Sequence, residues 1–220
     1  MKRSGSVAGV IGIFGGTFDP VHIGHLRTAY ELQQRLAIER IHFVPAAVPP
    51  HRPQPVASAE LRLAMLEAAL AGDESAIVDR RELEREGPSY SVDTAVSLRA
   101  EYPRHALCLL LGMDAFLGLT EWHEWERLLT LVNIVVARRP GAELPDSGRL
   151  GSLLTERRVG GGDTDNWEPA GQVVIQDVTQ LEVAATDLRA SIAAGVAPKF
   201  LVPDAVWNII VTSGCYAGAQ

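Results

Sequence analysis

Short apolar runs alternate with helix-like stretches along this chain, and this alternation limits the fold more than any other feature. Six runs rich in apolar and β-branched residues are strand candidates, at 7–14, 41–44, 76–79, 106–111, 132–137 and 172–178. Between them, Leu, Ala and Met recur at the three- and four-residue spacing of helices, at 25–37, 58–72, 91–102 and 122–132. Continuous apolar strands joined by helices favour a parallel sheet covered on both faces. The pattern therefore predicts an α/β fold with a doubly wound parallel sheet.

Two segments interrupt the alternation, and two helices are expected after the last strand. Residues 45–57 contain five prolines and predict a stiff, exposed loop. Residues 140–169 contain a triple glycine and predict an irregular excursion with one helical turn near 150–157. Helical patterns at 187–194 and 204–211 predict a small C-terminal helical segment of about 186–220. We expect the 220 residues to form one domain.

Charge and composition narrow the function classes. The chain has 27 acidic and 20 basic residues, a formal charge of −7, which argues against the clustered positive charge of a duplex nucleic-acid binder. No apolar run reaches the roughly 18 residues of a membrane span, and no secretory pattern opens the chain, so we expect a cytoplasmic protein without membrane or nucleic-acid partners. Cys108 and Cys215 lie far apart, which favours neither a disulfide framework nor a thiolate metal site.

A glycine-rich loop follows the first strand and runs directly into a helix. Its sequence, at residues 15–25, is GGTFDPVHIGH. Glycines let a backbone approach a phosphate closely, and the amides at a helix N-terminus favour an anion. The loop has neither the dinucleotide-binding fingerprint nor the P-loop pattern, so a different phosphate chemistry is implied.

Three interpretations of the histidine pair in this loop are open. His22 and His25 are three residues apart at the helix start, so both rings can point the same way. They could belong to a zinc site that uses Asp19, although no further ligand motif supports it. They could be ordinary capping or surface histidines. They could donate hydrogen bonds to phosphoryl oxygens and stabilise the charge of a transition state.

The sequence HIGH preceded by GGTFDP resembles the signature of the HIGH-type nucleotidylyltransferases. The wider chain is similar to one branch, the bacterial nicotinate-nucleotide adenylyltransferases. Six blocks between residues 11 and 210 carry this resemblance: GGTFDPVHIGHLRTA, HFVPAAVPPHR, GPSYSVDT, LGMDAFLGLTEWHEW, VVARRPG, and TDLR with LVPDAVWNII.

The resemblance implies a Rossmann-like fold and the transfer of AMP from ATP, with Mg²⁺, to nicotinate mononucleotide. The products would be nicotinate adenine dinucleotide and pyrophosphate, formed by direct attack without a covalent enzyme intermediate. Two alternatives stay open. The acceptor could be another phosphorylated compound, such as nicotinamide mononucleotide, phosphopantetheine or glycerol phosphate, or the protein could be a nucleotide-binding sensor without turnover. A homo-oligomer is also possible.

The resemblance also implies roles for individual residues. Catalytic roles are expected for His22, His25 and Arg189. Contacts to the ATP phosphates are expected from Gly15, Gly16, Thr17, Phe18, Arg138 and Thr186. The mononucleotide site is expected to include His51, Arg52, Tyr90, Ser91, Val92, Asp114 and Trp122, where Trp122 stacks on the pyridine ring and Trp125 packs the helix against the sheet. Asp114 is expected at a ribose or near the metal, and no side-chain metal site is expected.

One block departs from the family pattern. Where the family has a serine-rich ISSTxxR run that holds the β- and γ-phosphates, this chain has VAATDLR at 183–189. Ala184 and Ala185 lack the two serine hydroxyls. Thr186 keeps its hydroxyl, and Arg189 keeps the positive charge. Since backbone amides at a helix start do not depend on side-chain identity, we expect weaker ATP affinity rather than lost activity.

Overall fold

The fold is given by a computed structural model that describes residues 7–47, 54–139, 141–160, 167–179 and 181–218. Within these ranges, seven parallel strands form one sheet in the order β3-β2-β1-β4-β5-β7-β6. The strands are β1 (Val10–Gly16), β2 (Arg40–Pro45), β3 (Ala76–Val78), β4 (Ala106–Gly112), β5 (Asn133–Arg138), β6 (Arg158–Val159) and β7 (Val173–Asp177). The order reverses between β1 and β4, which confirms the predicted doubly wound, Rossmann-like arrangement.

Helices cover both faces of this sheet. They are α1 (Ile23–Arg35), α2 (Ala59–Leu70), α3 (Ser91–Glu101), α4 (Met113–Leu117), α5 (Trp125–Leu128), α6 (Gly148–Arg157), α7 (Ala185–Ala193) and α8 (Asp204–Ser213). The C-terminal helices α7 and α8 lie close to the predicted positions, and α8 packs against α2. None of the helices in the described ranges combines the length and apolar character that crossing a bilayer requires.

The core consists of two apolar layers, one on each face of the sheet. In β4, Cys108 and Leu110 face the layer formed with α1, α2, α7 and α8, whereas Leu107 and Leu109 face the layer formed with α3, α4, α5 and α6. Successive side chains of a strand point to opposite faces. A strand that is buried on both sides therefore needs an unbroken apolar run, which is why these strands were recognisable in the sequence.

The structure corrects two of the predicted helical segments. The predicted helix at 122–132 is wrong over most of its length, since only α5 forms there, after a 3-10 turn at Leu119–Glu121. Glu124 has a φ of 49°, in the left-handed region, and a helix cannot run through that conformation. In the excursion at 140–169, the single helical turn is instead the ten-residue helix α6, followed directly by the unpredicted two-residue strand β6.

Candidate active site

The glycine-rich loop lies at the carboxyl end of β1, beside the point where the strand order reverses. A Cβ added at Gly15 would meet nothing within 4 Å, so this residue faces open space, whereas a Cβ at Gly16 would lie 3.1 Å from the ring of Phe18. Ligands of open α/β sheets bind in the crevice at this edge. The loop therefore presents bare backbone to the crevice at Gly15, and Gly16 allows a close packing contact beneath it.

Phe18 anchors this loop from below. Its φ of 50° is in the left-handed region, and its side chain is 1% exposed. Its ring packs against Phe14, Phe43 and His25, with a centroid separation of 5.2 Å and near-perpendicular planes for the contact with His25. The side chain of Phe18 belongs to the core, so only its backbone is available to a phosphate.

The structure brings the two histidines together at the N-terminus of α1. Their ring centroids are 3.7 Å apart, and His22 is the N-cap residue of the helix. Nδ1 of His25 accepts a hydrogen bond of 3.3 Å from the backbone N–H of His22. A neutral His25 that accepts at Nδ1 carries its proton on Nε2, so it has a donor on the other side of the ring.

The burial of His22 determines its charge. The residue is 5% exposed, and burial lowers its pKa to about 4. A Cβ at Gly24 would lie 3.0 Å from the His22 ring, so a larger residue at this position would press on the ring. Nδ1 of His22 is buried and has no hydrogen-bond partner in the part of the chain that the structure describes. His22 is therefore neutral at pH 7, and its Nδ1 lacks a hydrogen bond within the described part of the chain.

Asp19 holds the loop to distant parts of the chain. Its Oδ2 accepts from the amide of Val56 at 2.8 Å, and its Oδ1 accepts from the amide of Ala57 at 3.0 Å and from the Tyr216 hydroxyl at 2.6 Å. Because both oxygens are engaged by the protein, Asp19 is a poor third ligand for the zinc interpretation of the histidine pair. Across the described ranges, no group of three or more His, Cys, Asp or Glu is placed to hold a metal ion.

Two arginines hold backbone carbonyls of the same loop. Arg62 of α2 is 1% exposed and donates to the Thr17 carbonyl at 2.8 Å. Arg189 of α7 donates to the Asp19 carbonyl at 2.7 Å, and its other terminal nitrogen lies 3.4 Å from the hydroxyl of the exposed Thr186. The guanidinium predicted to be catalytic thus already contacts the loop that carries the histidines.

The residues predicted for the mononucleotide lie at the start of α3 and beyond β4. Tyr90 is the N-cap of α3, and Ser91 and Val92 are the first helical residues, with the Val92 side chain buried. The Tyr90 ring stacks on His123 at 4.3 Å between centroids. These positions place polar backbone and aromatic surface at one edge of the crevice.

Trp122, Trp125 and Asp114 lie on the segments that follow β4. Both tryptophans are half-buried and pack against the second core layer. Packing alone therefore does not distinguish the predicted stacking residue, Trp122, from the predicted packing residue, Trp125. Asp114 is exposed in the first turn of α4, directly after β4. The remaining two predicted residues, His51 and Arg52, lie outside the described residues.

The two arginines at the carboxyl end of β5 are both paired with carboxylates. Arg138 makes two hydrogen bonds, of 2.6 and 3.0 Å, with Asp177, which is its register partner on β7. The exposed Arg139 forms a 2.7 Å ion pair with the exposed Glu182. A phosphate that used Arg138 would have to share it with Asp177.

The chain is similar to known proteins over nearly its whole length. A model of the cytidylyltransferase-like family matches residues 13–192. A protein of Methylococcus capsulatus named probable nicotinate-nucleotide adenylyltransferase is 46% identical over 94% of this chain and 100% of its own length. One of the same name from Pseudomonas aeruginosa is 47% identical over 94% of this chain and 96% of its own length. The chain belongs to the nicotinate-nucleotide adenylyltransferase family.

Solved structures bear out the fold of this nicotinate-nucleotide adenylyltransferase family member. The Plasmodium falciparum nicotinic acid mononucleotide adenylyltransferase in complex with NaAD superposes with a TM-score of 0.72 at 14% identity, over 94% of this chain and 97% of that one. A putative nicotinate-nucleotide adenylyltransferase of Vibrio parahaemolyticus gives 0.63 at 15% identity, over 96% and 97%.

Three residues that support the site were missed by sequence reasoning. Asp19 was considered only as a metal ligand, and Arg62 and Tyr216 were not singled out. The signal for Asp19 was its place in the GGTFDP block, but Arg62 is one charge in an ordinary helix and Tyr216 follows the last helix. Nothing local in the sequence indicates that these side chains meet beneath the loop.

Proposed function

We propose that this member of the family transfers AMP from ATP to nicotinate mononucleotide, as its resemblance implied and as the names of its relatives suggest. The observation that carries the proposal is the position of the two stacked imidazoles. They lie at the N-terminus of α1, which follows the exposed Gly15 at the carboxyl end of β1, at the edge where the sheet reverses its order. Displacement at phosphorus depends on positioning and charge stabilisation more than on a nucleophilic side chain.

The reaction forms one bond and breaks one. An oxygen of the mononucleotide 5′-phosphate bonds to the α-phosphorus of ATP, and the bond from that phosphorus to the bridging oxygen of the β-phosphate breaks. The products are nicotinate adenine dinucleotide and pyrophosphate. The charge that grows on the transferred and leaving groups needs preorganised donors, each worth about 3 kcal/mol when well placed.

Each side chain in this proposal has a support in the structure. Nε2 of His25 is its donor because Nδ1 accepts from the His22 backbone. His22 acts as a neutral imidazole because of its lowered pKa. Arg189, which donates to the Asp19 carbonyl, brings a positive charge from the middle of α7 to the same loop. Thr186 and the amides at the start of α7 complete the contacts to the outer phosphates.

The acceptor site is proposed between α3 and the segment after β4. The amides at the start of α3 receive the carboxylate of the nicotinate ring, since a helix N-terminus favours an anion. Trp122 offers a face for the pyridine, and Asp114 a carboxylate for a ribose hydroxyl or for the metal that accompanies ATP. Mg²⁺ enters as part of the substrate, because this ion is bound mainly by substrate phosphates with one or two carboxylates. A cytoplasmic location and self-association stay predictions.

A panel of acceptors tests the activity. The protein is incubated with ATP, Mg²⁺ and, in turn, nicotinate mononucleotide, nicotinamide mononucleotide, phosphopantetheine and glycerol phosphate, and pyrophosphate release is followed. We expect the highest kcat/KM with nicotinate mononucleotide. Faster turnover of another acceptor would show that this acceptor, not nicotinate mononucleotide, is the preferred substrate. Nucleotide binding without pyrophosphate release in the presence of any of the acceptors would favour the sensor alternative.

A further inference from the structure

A buried acidic residue lies behind the proposed acceptor site and has no role in the chemistry described so far. Glu82, in the turn between β3 and α3, is 8% exposed. Thr94, in the second turn of α3, donates a buried hydrogen bond of 2.7 Å to its Oε1. The carboxyl group therefore lies against the beginning of the helix whose first amides are proposed to bind the acceptor.

A second hydroxyl links Glu82 to the loop after β2. The Ser89 hydroxyl also lies near the Glu82 carboxyl and acts to lower its pKa, and Oγ of Ser89 accepts from the amide of Ala47 at 3.0 Å. Since the oxygen of Ser89 is the acceptor for Ala47, its hydrogen is free for Glu82. One carboxyl group thus joins the end of β2, the segment before α3 and the body of α3.

A small cavity shows how close this group is to the phosphate loop. The cavity has a volume of about 20 Å³ and is lined by Glu82 together with Gly15, Ser91 and Thr94. The rest of its wall is apolar: Ile13, Val44, Ala95, Leu109, Leu128 and Val132. The ends of β1 and β2 and the start of α3 therefore all meet at the cavity that Glu82 lines.

We propose that Glu82 is a positioning residue for the acceptor: it holds the segment 89–92 in the conformation that binds the mononucleotide. This inference rests on the proposed function. Burial of a carboxyl in an apolar wall is unfavourable unless it is hydrogen-bonded, and here Thr94 donates to it from within α3, while the Ser89 hydroxyl lies near it just before the helix. Glu82 acts on acceptor binding through these residues and touches neither ATP nor the reacting phosphorus.

Glu82→Gln is the direct test, with Glu84→Gln as the matched control. Glutamine keeps the shape and one oxygen for Thr94, but it turns an NH₂ group toward Ser89, whose hydroxyl then loses its acceptor. Glu84 is an exposed carboxylate two residues away in the same turn. We expect Glu82→Gln to raise the Kd and KM for nicotinate mononucleotide about tenfold, with KM for ATP and kcat within about twofold of the unaltered protein. Glu84→Gln should change none of them.

Thr94→Val supplies a second, independent variant. It removes the other hydroxyl and should raise the KM for the mononucleotide severalfold. Combined with Glu82→Gln, it should add less than its separate effect, because both changes break one network. Melting temperatures of all variants, measured without substrates, separate lost positioning from lost folding.

The outcomes distinguish this inference from the proposed function. Glu82→Gln that binds the mononucleotide as tightly as Glu84→Gln would overturn the positioning role. So would equal losses for ATP and the mononucleotide, which indicate a general structural effect. If the unaltered protein binds nicotinate mononucleotide but does not turn it over, the proposed function fails, and the Kd ratio of the two variants still decides the role of Glu82.

Discussion

The hydroxyl of Tyr216 donates a hydrogen bond of 2.6 Å to Oδ1 of Asp19, a residue 197 positions earlier in the chain. This contact ties the segment after the last helix to the loop that carries the histidine pair. The same loop is held from two other sides, by Arg62 on the Thr17 carbonyl and by Arg189 on the Asp19 carbonyl. The position of the imidazoles thus depends on side chains from three distant parts of the sequence.

Removal of the Tyr216 hydroxyl should loosen this loop. Burial raises the pKa of Tyr216, with a further contribution from Asp19, so the phenol keeps its proton and remains a donor. We expect Tyr216→Phe to lower the free energy of unfolding by about 2 kcal/mol, because the acceptor is a charged group, and kcat severalfold. Chemical denaturation and steady-state assays measure the two effects. Tyr30→Phe, at a 52% exposed position, is the control, and equal behaviour of the two variants would contradict the role of Tyr216.

The lowered pKa of His22 makes stability depend on pH. The folded protein holds this ring neutral down to about pH 4, whereas an unfolded histidine takes up a proton near pH 6.5. The unfolded state therefore binds more protons between these values, and the contribution of His22 to stability falls as the pH is lowered from about 6.5 to 4. His22→Gln should reduce the loss of unfolding free energy between pH 7 and pH 5 by about 1 to 2 kcal/mol. An unchanged pH dependence in His22→Gln would show that His22 is not held neutral by the fold.

A serine at position 184 should improve two properties at once. Ala184 is the N-cap of α7 and makes no side-chain hydrogen bond to the helix. Ala184→Ser supplies a capping hydroxyl, which should raise the free energy of unfolding by about 1 kcal/mol. It also restores one hydroxyl of the family pattern and should lower the KM for ATP severalfold. Stabilisation with no change in that KM would place the missing hydroxyls outside the ATP site.

Removal of the Trp122 side chain should raise the KM for the mononucleotide but not the KM for ATP. It offers its face to the pyridine ring in the proposed site, so Trp122→Ala should raise the KM for nicotinate mononucleotide at least tenfold and leave the KM for ATP within about twofold. Trp125→Ala is the matched comparison, because both tryptophans are half-buried against the same core layer. Parallel increases of both KM values in Trp122→Ala would make it a packing residue only.

The strands and the glycine-rich loop were predictable because their signals are local. A strand buried on both faces, such as β4, must be apolar at every position, and a tight loop before a helix needs glycines. The two-residue strand β6 offers too short a run to recognise, and the left-handed Glu124 breaks a helix whose apolar spacing continues through it. The backbone conformation there is set by the surrounding fold rather than by the periodicity.

The support of the site was not predictable for a related reason. The bonds from Arg62 to Thr17 and from Tyr216 to Asp19 join residues that only the folded sheet brings together. A single arginine in a helix gives the same sequence pattern whether its side chain is solvated or buried. The pairing of His22 with His25 could be predicted because both residues belong to the start of one helix. The pairing of Arg138 with Asp177 could not, because Asp177 lies on a neighbouring strand that is distant in the sequence.

The proposed mechanism depends most on the hydrogen-bond donor that His25 is proposed to present to the transferred phosphoryl group. Rapid-quench single-turnover measurement with ATP and nicotinate mononucleotide isolates that step, and equilibrium titration gives the Kd for ATP separately. For His25→Ala we expect the rate of nicotinate adenine dinucleotide formation to fall about 100-fold while the Kd for ATP changes little, with partial recovery in His25→Gln, which keeps a donor near Nε2. An unaltered single-turnover rate in His25→Ala would contradict the account.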